Sequence, residues 1–163
     1  MDEQEFWEIV KDVHDRSDGD MDEKCKLLLK SLKGLTSEEV VAFARHFDTA
    51  MDRTYSHSLW GAAYVINGGY GDDQFSDFRA SLISCGRKAF ERALADPDSL
   101  ADVDLDEETW FYEGYQYAVT EGVEAVTGAP RKRDVPCLPE PSGEPWSEDE
   151  VYQMYPRLSE KFA

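Results

Sequence analysis

The sequence predicts an all-α fold, and three observations lead there. Apolar residues recur at intervals of three and four along most of the chain. Helix-start signatures stand directly before those runs, as in Asp2 with Glu5 and Thr36 with Glu39. No stretch alternates with a period of two for long enough to build a sheet. The expectation is one compact domain over 1–163, with about six to eight helices packed around a buried central helix at 59–67.

Residues 2–16 read as a first helix, with Phe6, Val10 and Val13 on one stripe beside Trp7. Ser17-Asp18-Gly19-Asp20 is a turn. Aligning the glycine of a calcium-binding loop on Gly19 places His14 and Arg16 at ligand positions, which excludes calcium there. A second helix at 21–33 turns Cys25, Leu28, Leu29 and Leu32 inward, and Gly34 ends it. The third opens on the Thr36–Glu39 capping box and runs to about Tyr55, burying Val40, Phe43, Ala44, Phe47 and Met51. Asp48 sits at the edge of that apolar face, with Arg45, Asp52 and Arg53 further round.

Leu59 to Ile66 carries no charge and is apolar on every side of a helical projection, so it should be surrounded by protein, with Trp60 largely buried. Gly68 and Gly69 stop it. Asp72 then serves as N-cap for a helix at 73–84 that buries Phe75, Phe78 and Leu82, and another helix follows at 87–95. Asp106 caps a long helix at 107–127, with Phe111, Tyr115, Ala118, Val119 and Val126 on one face, and Gly128 closes it. After Arg131-Lys132-Arg133, a proline-rich connection (129–146) leads to a short helix that begins at Ser147-Glu148-Asp149-Glu150 and ends at Tyr155-Pro156.

Three motifs together carry a resemblance: Trp60-Gly61-Ala62-Ala63-Tyr64-x-Ile66-Asn67-Gly68-Gly69, then Asp72-Asp73-x-Phe75-x-x-Phe78-Arg79, then Asp96-Pro97-Asp98-Ser99-Leu100. They resemble the family called domain of unknown function 4240. The opening Glu5-Phe6-Trp7 and the closing Gly143-Glu144-x-Trp146 and Tyr155-Pro156-x-Leu158 are similar to it as well. Tyr70-Gly71 departs from the small residue and serine expected there. The resemblance implies a small, mostly helical bacterial domain and brings no reaction with it.

Composition narrows the partners. Against 17 basic residues stand 35 acidic ones, a formal net charge of −18. Such a chain is repelled by nucleic-acid phosphates and by anionic membranes, which excludes both as partners, and it favours a basic protein. Cys25, Cys85 and Cys137 form no disulfide framework and no CxxC pair. The acidic start and the absence of any long apolar run predict neither a signal peptide nor a transmembrane helix, hence a cytoplasmic protein.

Arg79 is the most informative single residue. With Phe75 as reference, Leu82 lies about 20° to one side and Arg79 about 40° to the other, so the guanidinium starts from the buried face. A buried arginine needs a partner. Asp48 is the first candidate, with Asp52 or Asp72 second. This is either a structural ion pair between helices, the commoner arrangement, or an arginine lining a pocket for an anionic ligand. In the second reading Asp48, Asn67, Asp72, Asp73 and Arg79 form the ligand site.

Other chemistry finds less support. Gly68-Gly69-Tyr70-Gly71 precedes a helix, but its order matches no phosphate loop, and Asp72 and Asp73 already occupy the positive helix end. His14, His46 and His57 are scattered, and arginines stand near each candidate carboxylate, so no metal and no cofactor is expected. Cys85 beside Arg87 and Lys88 lacks an assigned base, and Ser81 and Ser84 lack a nucleophile-elbow context, so no catalytic residue is assigned and the chain reads as a binder rather than an enzyme. Trp60, Tyr64, Tyr70, Trp110 and Tyr112 read as core aromatics.

The last feature is a run of ten acidic residues from Asp96 to Glu124 with no lysine or arginine among them. Its self-repulsion costs stability, and solubility alone explains it as well as function does. The sharper expectation is a protein-interaction module. Asp102, Asp104, Glu107 and Glu108 steer a basic protein, and Trp110 or Tyr112 supplies the apolar anchor.

Overall fold

A computed structural model describes residues 1–68, 71–134 and 136–163. Gly69 and Tyr70, the middle of the glycine corner, lie outside the described residues. The chain is all-α. The helices are α1 (Glu3–Ser17), α2 (Met21–Lys33), α3 (Ser37–Arg53), α4 (His57–Asn67), α5 (Asp72–Ser84), α6 (Arg87–Ala95), α7 (Glu107–Trp110), α8 (Gly114–Thr127), α9 (Val151–Met154) and α10 (Pro156–Phe162), with a 3₁₀ turn at Pro97–Asp102. Among the described residues the one β feature is an isolated bridge between Ser56 and Ser142.

Both capping boxes form. Asp2 and Thr36 accept from the amides of Glu5 and Glu39, whose carboxylates reach back to the cap amides. The first reversal places Asp18 and Gly19 at φ 54° and 80°. From there α2 returns along α1 and lies against α8. The approach of α2 to α8 is close at one point, where a Cβ on Gly122 would stand 2.7 Å from Leu32 Cδ1 and 2.8 Å from Leu32 Cβ. Helix α5 is flanked by α1, α3, α4, α6, α7 and α8. Aromatic contacts join it to both sides, from Trp60 stacked on Phe75 (centroids 4.7 Å apart) to Phe78 beside Trp110 (5.3 Å).

Several sequence expectations change in the structure. Leu59, Gly61, Ala62, Ala63, Val65 and Ile66 are buried as expected, but Trp60 and Tyr64 are only half-buried. One face of α4 meets the chain's own connection, where Trp146 packs 4.9 Å from Tyr64, rather than the core. Gly71 is the N-cap of α5, and Asp72 is its first residue, with no side-chain cap bond. The helix expected at 107–127 breaks between Trp110 and Gly114. Trp110 and Phe111 both pack on Phe78 of α5, at 5.3 and 5.8 Å between ring centroids. Tyr112 then bonds Asp22 Oδ1 (3.1 Å) and lies over Gly114, where a Cβ would come within 2.6 Å of its ring. The short helix expected before Tyr155-Pro156 does end there, as α9, but Pro156 then opens a further helix. Pro156 occupies the first turn of α10, where its missing N–H costs nothing.

The inward stripe of α2 is Met21, Lys24, Leu28 and Leu32, while Cys25 and Leu29 are half-buried. Lys24 is fully buried, its Nζ donating to the Ser84 carbonyl (3.3 Å) and to Ser84 Oγ (3.1 Å). Burial pulls its pKa below the ordinary lysine value.

Two stability measurements check this packing. Gly122→Ala gains about 1 kcal/mol of helix propensity, but the clash with Leu32 outweighs it. The expected net loss is about 1–3 kcal/mol in denaturant unfolding. Lys24→Met keeps the stem and removes a buried charge held only by neutral acceptors, so it should raise stability at neutral pH by about 1–3 kcal/mol. The lysine's folded pKa is depressed, so the unfolded chain binds the extra proton. Wild-type stability therefore rises as pH climbs from that folded pKa toward 10.5, and the variant lacks this rise.

Candidate functional site

The C-terminal half of α3, the N-terminal half of α5 and the first turns of α8 converge on a cleft of about 390 Å³. Each contributes one face. Helix α3 presents Phe47, Asp48, Met51 and Asp52, with Tyr55 just beyond its end. Helix α5 presents Asp72, Asp73, Ser76 and Arg79, which stand at i, i+1, i+4 and i+7 and so share one side of the helix. Gln116, Tyr117 and Thr120 come from α8, and the proline-rich connection supplies the fourth wall with Arg131, Arg133, Cys137 and Leu138.

Arg79 is buried, with 8% of its surface exposed, as its position on the wheel predicts. Its partner differs from expectation. Neither Asp48 nor any other carboxylate of the described residues lies within ion-pair distance. Nη1 donates to the Met51 carbonyl (2.9 Å), and the guanidinium carbon lies 4.7 Å from the Tyr55 ring centroid and 4.8 Å from that of Phe75. Nε is buried without a hydrogen-bond partner. Burial lowers its pKa from the ordinary arginine value, and Asp72 is the foremost group opposing that shift.

Asp48 is taken by arginines that the helical wheels did not consider. Arg131 Nη2 meets it at 2.5 Å, with only 15% and 13% of the two side chains exposed, and Arg133 stands 3.6 Å away. Arg133 also grips both oxygens of Asp52, at 3.0 and 2.9 Å. The match is geometric. Residues i and i+4 of a helix stand about 6 Å apart along its axis, and Arg131 and Arg133 reach Asp48 and Asp52 at that spacing. Arg-x-Arg after a long stretch without any lysine or arginine was the available signal.

Four of the five expected ligand-site residues, Asp48, Asp72, Asp73 and Arg79, thus line one cleft. Asn67 does not. It ends α4, half-buried and away from that lining. Of the lining residues, Ser76 and Gln116 bond each other, and Gln116 also bonds Asp77, which lies outside the lining. Ser76 Oγ donates to Gln116 Oε1 (3.2 Å), and Gln116 Nε2 donates to Asp77 Oδ1 (2.8 Å). Burial holds the Asp77 carboxyl above the usual carboxylate range. Burial, and then Asp72, raise the Tyr55 phenol. Among the described residues no group of three or more His, Cys, Asp or Glu side chains is arranged to hold a metal.

The acidic run fares differently. Asp98 caps α10, accepting from the amides of Arg157 (3.2 Å) and Leu158 (2.9 Å). Asp102 is paired with Arg92 at 2.6 Å and with Arg157. Asp104, Glu107 and Glu108 are exposed, whereas Trp110 is completely buried and offers no surface anchor. Tyr112 is half-buried and bound to Asp22.

These features define a helical protein with a charged, mixed-sign cleft and no helix, among the described residues, long and apolar enough to cross a membrane. The family described as protein of unknown function DUF4240 matches residues 1–124, and the chain belongs to that family. The closing motifs around Trp146 and Tyr155 lie beyond the matched residues. No curated protein and no solved structure matches the chain.

The ion pair that closes the fourth wall can be weighed directly. A double-mutant cycle of Arg131→Met with Asp48→Asn should give a coupling of about 1–3 kcal/mol in unfolding free energy. A coupling near zero would mean that the connection is held by its other contacts.

Proposed function

We propose that this chain binds a small molecule bearing an anionic group in the cleft between α3, α5 and α8. The observation that carries the reading is Arg79, a nine-tenths-buried cation that lines the cleft and meets no carboxylate within ion-pair distance. Burying a charge without a counter-ion costs several kcal/mol unless something compensates, roughly as much as removing one partner of a buried pair. An arginine fork is also the side chain best suited to grip a carboxylate or phosphate. The cleft falls within the usual size of ligand pockets, about 300–1,000 Å³. No histidine of the described residues lines it, which favours binding over proton-transfer chemistry. The three free cysteines fit a reducing, cytoplasmic setting.

The alternative, an acidic face for a basic protein partner, keeps Asp104, Glu107 and Glu108. It loses Asp98 and Asp102 to internal contacts and Trp110 to the core, so it has charge without an anchor.

Amide chemical-shift mapping with a panel of small carboxylates and phosphates tests the reading. Shifts should centre on 51–55, 76–79 and 116–120 and vanish in Arg79→Met. That variant removes a buried charge and should remain folded, within about 2 kcal/mol of wild type. If no member of the panel moves those amides, or if Arg79→Met binds as wild type does, the proposal fails.

A further inference from the structure

We infer that the ligand of this cleft is a basic amino acid, with its carboxylate on Arg79 and its side-chain cation reaching Asp72 and Asp73. The inference rests on the binding reading above and adds the ligand's chemical class. Its basis is the charge left over inside the cleft. Arg131 and Arg133 hold Asp48 and Asp52 at 2.5 and 2.9 Å, so those four side chains largely cancel. What remains on α5 is one cation, Arg79, against two carboxylates, Asp72 and Asp73.

A simple anion on Arg79 would sit in the field of both aspartates. A simple dication would be opposed by Arg79. A molecule with an anionic group at one end and a cationic group at the far end satisfies both ends of the cleft. Neither aspartate caps the helix, and both are exposed at its first turn; Asp72 neighbours the Tyr55 phenol, and Asp73 faces solvent. Asp72, Ser76 and Arg79 span about 10 Å of helix axis, the reach of a long charged side chain rather than of glycine. Tyr117 and Leu138, among the large apolar side chains of the described residues that are left exposed, stand on the cleft wall where an aliphatic stem would cover them.

The test is isothermal titration at low ionic strength with three probes: L-lysine, cadaverine, which lacks the carboxylate, and Nα,Nε-diacetyl-L-lysine, which lacks both cations. L-lysine should bind at least about tenfold more tightly than either of the others, the equivalent of one good charged contact at each end. The double variant Asp72→Asn with Asp73→Asn should lose about tenfold for L-lysine while holding diacetyl-lysine as well as before or better, and a glutamate pair at the same positions should restore L-lysine. Thermal melts of both variants establish that the fold survives.

If diacetyl-lysine binds as tightly as L-lysine, or if L-lysine does not bind while another anion does, the amino-acid assignment falls and the Arg79 reading stands. If cadaverine equals L-lysine, the carboxylate is not being read and both fall. If neither L-lysine nor any anion binds, both fall as well.

Discussion

The contact on which the site depends is the hydrogen bond from Arg79 to the carbonyl of Met51. Met51 lies in the last turn of α3, where backbone carbonyls have no partner within the helix and carry the negative end of its dipole. A guanidinium there shares the Met51 carbonyl with the Thr54 hydroxyl and meets a partial negative charge, while the rings of Tyr55 and Phe75 offer it their electron-rich faces. These weak partners together replace the carboxylate that a buried arginine ordinarily takes. They also pin α5 to the end of α3, which fixes the relation between the two helices that carry most of the charged lining.

Lys24 shows the same economy on the far side of α5. In a chain of net charge −18, two cations lie in the interior with neutral acceptors, and the carboxylates stay near the surface. The surplus of negative charge around them favours positive charge inside at long range, which offsets part of the desolvation that each cation suffers. Arg131 and Arg133 follow the ordinary rule instead, because Asp48 and Asp52 stand open on α3 to receive them.

Local signals in the sequence were read correctly where a helix is governed by its own residues. The two capping boxes, the stripes of α1 and α3, and the burial of Arg79 all follow from short-range periodicity. The partner of Arg79 did not, because Asp48 had two possible arginines and the nearer in space belongs to a connection with no regular pattern. The break after Trp110 was also invisible, since the contacts made there, to Phe78 and Asp22, come from other helices. Lys24 was legible and missed: it stands four residues before Leu28 and eight before Leu32, on the stripe that α2 buries. The acidic run was misjudged because Arg92 and Arg157, which neutralise Asp102, lie outside it in sequence.

The family match ends at residue 124, and the proline-rich wall begins shortly afterwards. The floor of the cleft, with Asp72, Asp73 and Arg79, lies within the matched residues, while Arg131, Arg133 and Leu138 lie outside them. The division separates two tasks. A chain with the same first 124 residues and a different tail would keep the arginine and offer it a differently shaped and differently charged enclosure. Asp48 and Asp52, without arginines to hold them, would then add two negative charges to the cavity. Changing only the tail would be enough to invert which ligands the same floor accepts.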